Sequence, residues 1–217
     1  MTRNVHLSVG RFLRSKSELF WSYLHPVDGV LVVLASVFYL QFVVAGNVGS
    51  VEWVYSYAYV GGFDWKVLTS YFAHASEMHF ANNMFGMLIY RLYFTHIGDD
   101  FNSVRNIVLF VVGIGIGVNV IVFLLAVIVG VSFPPVIGFS GVLFAFFGYK
   151  LHTKLRGGIN FTLNPFYIQQ GILLGSVILT VFGPLYGLIQ EPTFAFGFVA
   201  HSIGFILGFI ALFVINK

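Results

Sequence analysis

Apolar residues run along this chain in six long stretches, at about 27–46, 78–95, 105–130, 136–151, 168–190 and 194–215. A helix needs roughly 20 predominantly apolar residues to cross hydrocarbon, so each run predicts a membrane-spanning helix, the fourth being short. Pro134-Pro135 punctuates the start of the fourth run, and Asn164-Pro165 marks a turn before the fifth. The longest connection, 47–77, carries Trp53, Tyr55, Tyr57, Tyr59, Phe63, Trp65, Tyr71 and Phe72. Aromatic rings favour the headgroup level, so this loop is predicted to lie in the membrane interface. Upstream, Phe12, Leu13, Leu19, Phe20, Tyr23 and Leu24 recur at helical spacing among Arg3, Arg11, Arg14 and Lys16. A helix on the membrane surface would read this way, but charge placement favours a plain basic cytoplasmic lead-in. No small-residue cleavage site follows a short apolar core, so a secretory signal peptide is not expected.

Composition agrees with the pattern. The chain is 58% apolar and 9% charged, with a mean hydropathy of +0.90, against roughly 25% charged residues in soluble domains. The reading is an all-α polytopic membrane protein: a lead-in at 1–26, then one six-span domain over 27–217, with no seventh span or added domain expected. Cysteine is absent, which excludes disulfides, a thiolate nucleophile and a thiolate metal site. The net charge of +3 matters through its placement, and nothing in it resembles a nucleic-acid patch. With the N-terminus inside, Arg91 and Arg105 flank one inner loop, Lys150, Lys154 and Arg156 mark a second, and Lys217 ends inside. Of the 11 Lys and Arg residues, only Lys66 then lies outside. The predicted location is therefore the cell membrane, N-terminus cytoplasmic.

Three polar intrusions into the apolar runs carry the candidate chemistry: His79 and Asn83 in H-F-A-N-N, Ser140 in G-F-S-G, and His201 in A-H-S-I-G. Polar groups in hydrocarbon are costly and usually face a bundle interior or a watery cavity. In the predicted topology spans two, four and six all start from the outer side. His79 and Asn83 fall in the first two turns of span two, Ser140 falls near the start of span four, and His201 lies about 10 Å into span six at 1.5 Å per residue. All sit at similar depth in the outer leaflet. Gly197, Gly204 and Gly208 share a helical face with His201, and Gly138, Gly141 and Gly148 leave a lean surface around Ser140. Small residues allow close helix approach in membranes, so spans four and six are expected to pack and bring imidazole to hydroxyl.

A serine hydroxyl is a weak nucleophile until a neighbouring base takes its proton, and His201 is the natural base. The spans supply no aspartate to orient it, so a Ser-His dyad is expected. His79 and Asn83, four residues apart on one face, can donate hydrogen bonds to a developing oxyanion, with the Ser140 backbone N–H as a further donor. Asn82 points about 100° away and reads as structural.

These motifs resemble those of the rhomboid intramembrane serine proteases: H-A-S-E-M-H-F-A-N-N, G-F-S-G and A-H-S-I-G-F-I-L-G, in family order on spans two, four and six. The resemblance covers about 27–215. It implies Ser140 as nucleophile, His201 as general base, and His79 and Asn83 as oxyanion donors, with His74 matching a histidine near the family's active-site water cavity. Trp65-Lys66 is similar to the family's Trp-Arg pair; lysine lacks the guanidinium fork, so its anchoring differs. Phe144 stands where some members have a tyrosine packed on the catalytic histidine. The acidic motif of some members after span two is not recognisable in Gly98-Asp99-Asp100. The implied partners are membrane lipids and the transmembrane segments of other proteins, cut beside a small residue; no metal or cofactor is called for, and the site opens to the extracytoplasmic side.

Rival classes fit less well. A zinc protease would need H-E-x-x-H, which His74, Glu77 and His79 do not form. An aspartyl intramembrane protease needs two buried aspartates, whereas Asp28, Asp64, Asp99 and Asp100 lie at span ends or in loops. A small-solute transporter would show repeated broken helices; Gly183-Pro184 could break span five, but no repeat accompanies it. A catalytically silent rhomboid-like binding protein would normally lack the serine or the base, and this chain has both.

Overall fold

The computed structural model describes residues 25–45, 56, 58–62, 64–95, 101, 103–130, 135–157, 166–190 and 192–215. The lead-in at 1–24, Trp53, Tyr55, Tyr57, Phe63, Gly98-Asp99-Asp100, Pro134, Asn164-Pro165 and Lys217 lie outside the described residues. Among those described there are seven helices and no strand: α1 (Pro26–Ala45), α2 (Lys66–Thr69), α3 (Glu77–Phe94), α4 (Val104–Val129), α5 (Ser140–Arg156), α6 (Phe166–Gln190) and α7 (Pro192–Ile215). The six long helices follow the six apolar runs, and α2 is a short turn within the first connection. Among the described residues, two stretches are long and apolar enough by composition to cross a membrane, Val104–Val129 and Ile168–Tyr186.

Local chemistry sets the ends. Ser76 caps α3, its hydroxyl accepting from the His79 N–H at 3.1 Å, and Ser103 caps α4 in the same way through Asn106. Gly130 ends α4 in a left-handed conformation (φ +74°), its N–H returning to the Ala126 and Val127 carbonyls. Pro192 opens α7, where a missing N–H costs nothing. The fourth helix departs from the predicted 136–151. Val136 is held extended, exchanging two backbone hydrogen bonds of 2.9 Å with Tyr59. Gly138 then has φ +107°, so the helix cannot extend back through it, and α5 begins at Ser140 after Phe139 as N-cap. At its other end the helix runs on to Arg156, whose charge with that of Lys154 suits the last turn.

Packing divides the bundle into two halves. At the end bearing Arg91 and Lys154, Tyr90, Phe94, Phe101, Phe110, Phe146 and Tyr149 form a continuous aromatic core, with ring centroids 4.7 Å apart for Phe101 and Tyr149 and 4.9 Å for Phe110 and Phe146. There the Arg91 fork grips Asp28, Nε to Oδ1 at 2.6 Å and Nη2 to Oδ2 at 3.1 Å, joining α3 to the start of α1. The opposite end holds the polar residues. Many large apolar side chains among the described residues are exposed, with Ile128 78% and Leu92 73% exposed. Apolar faces on this scale suit a lipid solvent better than water.

The closest pairing is α5 against α7. A Cβ on Gly204 would fall onto the Gly141 carbonyl, one on Gly208 onto Ala145, and one on Gly148 onto the Phe205 carbonyl. Gly197 differs from the expected packing stripe: a Cβ there would meet nothing within 4 Å. Two crossing helices touch over a limited length and then diverge, and here they diverge on the Gly197 side.

The first connection also differs in part from the interfacial expectation. Trp65 is exposed, but Tyr59 and Tyr71 are buried within the protein. Tyr59 donates its hydroxyl to the Gly62 carbonyl at 3.0 Å, and the Tyr71 ring lies on Gly115, where a side chain would overlap it. A buried backbone pairing and a glycine-made slot hold these rings more firmly than headgroups would.

Candidate active site

Where α5 and α7 separate, a cavity of about 340 Å³ opens, lined among others by Ser140, His201, His79, Gly138 and Gly197. His79 of α3, Ser140 of α5 and His201 of α7 therefore converge on one space. Ser140 is the first residue of α5, and Phe139 before it offers no side-chain cap. The first N–H groups of a helix lack intrahelical acceptors and carry its positive dipole end, so this position favours a developing negative charge.

His201 is held by rings. Phe144, one turn beyond Ser140, lies flat against it with centroids 4.6 Å apart and planes at 1°. Phe198 meets it edge-on at 5.9 Å and 85°, and itself packs over Gly183 of α6. The neighbouring Ser202 hydroxyl donates to the Thr180 carbonyl at 2.6 Å, tying this turn of α7 to α6. No hydrogen bond joins Ser140 to His201 here. Such contacts are commonly long before substrate binds and tighten with it.

His79 lies over Gly138, where a Cβ would collide with the imidazole. Its ring meets that of His74 edge-on, 5.3 Å away. His74, just before α3, is fully buried and does not line the cavity. Burial, with a smaller contribution from His79, pulls its pKa down to about 3, against a weak opposing hydrogen bond to the Phe72 backbone. A neutral imidazole therefore stands behind His79. Asn83 is 3% exposed and also lies outside the cavity lining. Its Nδ2 has no hydrogen-bond partner among the described residues, a buried donor with capacity to spare. Asn82 is exposed. Lys66 forms an ion pair with Asp64 at 3.9 Å. Burial raises the pKa of Tyr71, also in the cavity wall, to about 12, so its phenol stays protonated.

A profile of the Rhomboid domain matches residues 62–217. The chain belongs to the rhomboid family. Members of this family are generally intramembrane serine proteases. A comparison with curated proteins returned no match. The matched stretch holds every cavity residue named above and leaves α1 outside it.

Two further residues of this rhomboid's site, Phe198 and Asn119, are not among those singled out by the residue pattern. Phe198 carries no signal beyond its spacing from His201. Asn119 does carry one: it is a lone amide inside the apolar run of α4, the same costly intrusion that singled out His79. It lines the cavity and donates to the Val67 carbonyl at 3.0 Å and the Ser70 hydroxyl at 2.9 Å.

Proposed function

We propose that this protein is an intramembrane serine endopeptidase that hydrolyses peptide bonds in or near the transmembrane segments of other membrane proteins. The observation that carries the reading is a single cavity lined by Ser140 at a helix start and by His201 and His79 from two other helices. All six long helices span the bilayer with the N-terminus cytoplasmic, and the cavity opens toward the extracytoplasmic side.

In this reading His201 Nε2 or Nδ1 accepts the Ser140 proton as Oγ attacks the scissile carbonyl. The flat contact with Phe144 fixes the imidazole plane without a third, acidic residue. Negative charge on the carbonyl oxygen is met by the Ser140 N–H at the positive end of α5, by His79 and by the spare amide donor of Asn83. Collapse of the tetrahedral species passes the proton from His201 to the leaving amine and leaves an acyl-enzyme on Ser140. Water, activated in turn by His201, releases it. The substrate helix must unwind locally, because a helical carbonyl is hydrogen-bonded and shielded. Partners are thus lipid and single-span or multi-span substrates, and no cofactor enters the chemistry.

The test is cleavage of a model single-span substrate by the purified protein in liposomes. Wild type is expected to cleave, and Ser140→Ala and His201→Ala to be inactive. A fluorophosphonate is expected to label Ser140 and to lose that label in Ser140→Ala. Equal cleavage by both variants, or labelling that no Ser140 change removes, overturns the reading.

A further inference from the structure

We propose that Asn119 is a positioning residue for this reaction, acting through Ser70 and Gly138 on the segment that presents Ser140. The inference rests on the protease reading above. Asn119 is 2% exposed and Ser70 0%, so their hydrogen bond is shielded from both lipid and water. Nδ2 of Asn119 has two hydrogens and two acceptors in reach, the Val67 carbonyl at 3.0 Å and the Ser70 hydroxyl at 2.9 Å. Both acceptors belong to the first connection, at α2 and just after it. Ser70 makes a second contact in the other direction: its carbonyl accepts from the Gly138 N–H at 3.0 Å. One buried serine thus joins α4 to the residues that lead into α5.

Gly138 is where that link reaches the site. It stands two residues before Ser140, has φ +107°, and leaves no room for a side chain because the His79 ring occupies the space. Its position therefore sets both the approach of the Ser140 backbone and the seat of His79. A second tie, the Tyr59–Val136 pairing, holds the same segment two residues earlier. With the Val136 tie alone the segment could pivot; the Asn119–Ser70–Gly138 link removes that freedom. Preorganised donors act only if they are held where charge develops, and a displacement of about 1 Å can cost on the order of a hundredfold in rate. An apolar residue at position 119 would leave the Val67 carbonyl and the Ser70 hydroxyl unmet in a buried site.

The experiment measures cleavage by the full chain in liposomes, with the concentration of competent enzyme taken from the fluorophosphonate labelling end-point. Turnover per labelled site is insensitive to molecules lost to misfolding. Asn119→Ala, Asn119→Leu and Ser70→Ala are each expected to lower kcat per labelled site by roughly 10- to 100-fold, with KM changed by less than about twofold. The double variant Asn119→Ala/Ser70→Ala is expected to be no slower than Asn119→Ala alone, since both act through one link. Wild-type turnover per labelled site in the single variants, or losses that multiply in the double, overturn the inference. Should Asn119→Ala fail to fold, Ser70→Ala and the near-isosteric Asn119→Leu decide it. Ser140→Ala is run alongside: if it is inactive while the Asn119 and Ser70 variants turn over normally, only this inference falls. If Ser140→Ala cleaves normally, the protease reading falls and takes this one with it.

Discussion

Phe144 lies flat on His201, with ring centroids 4.6 Å apart and planes at 1°. Phe144 stands on α5 one turn after Ser140, so the helix that presents the hydroxyl also supplies the platform for the imidazole. An aromatic stack of this kind is worth about 1 kcal/mol beyond its buried area. Phe144→Ala is expected to lower kcat/KM by roughly fivefold, the equivalent of that stacking energy. Phe144→Tyr keeps the face and is expected to stay near wild type. Initial cleavage rates of the two variants, measured side by side, check this; equal loss in both would mean that the ring face does not matter.

Glycines that were expected to behave alike along α7 are predicted to separate by experiment. Gly204→Ala and Gly208→Ala place a Cβ against the backbone of Gly141 and Ala145, and overpacking of this sort costs about 1–3 kcal/mol. Both are expected to lower the unfolding temperature in detergent and to reduce cleavage. Gly197→Ala meets open space at the cavity wall, so its stability is expected to stay within about 0.5 kcal/mol of wild type. Cleavage alone is expected to change, because the cavity narrows.

Gly138→Ala combines two costs. A left-handed backbone costs a side-chain-bearing residue about 1–2 kcal/mol, and the new methyl group displaces the His79 ring. Cleavage is expected to fall by roughly tenfold or more. Gly130→Ala serves as the comparison, since Gly130 is also left-handed but has open space around its Cβ position. That variant is expected to lose stability while retaining its turnover per labelled site.

His74 predicts a pH dependence of stability. Its pKa is depressed from 6.5 to about 3 on folding, chiefly by burial. Above pH 6.5 the imidazole is neutral in both states and contributes no pH dependence. As pH falls through the window from about 6.5 to about 3, the unfolded chain binds a proton that the folded one refuses, so stability drops by up to about 1.4 kcal/mol per pH unit. Thermal unfolding in detergent, followed across that window, is expected to show a slope that is shallower in His74→Phe. An unchanged slope would mean that other groups carry the acid sensitivity.

Six of the seven described helices coincide with runs visible in the residue pattern, because a long apolar run satisfies its own backbone hydrogen bonds most simply as a helix. The convergence of His79, Ser140 and His201 was legible for a related reason. Each is a costly polar group in an apolar run, and the charge pattern predicts all three at one depth; the structure puts them on one cavity. Asn119 obeyed the same rule of cost, but its partners Val67 and Ser70 lie 52 and 49 residues away in the chain. No local pattern connects an amide in one helix to a loop that far upstream.

The residue pattern by itself determined which segments are helical, which polar residues are out of place in lipid, and which glycines share the face of His201. It could do so because helix periodicity and the cost of burying polar groups are local properties. The tertiary structure alone decided where α5 and α7 touch and where they part, turning Gly204 and Gly208 into a contact and Gly197 into a cavity wall. It alone delayed the start of α5 to Ser140, since Val136 pairs with Tyr59 and Gly138 is held by Ser70. Those outcomes depend on crossing geometry and on hydrogen bonds between distant segments, which no single stretch of residues encodes.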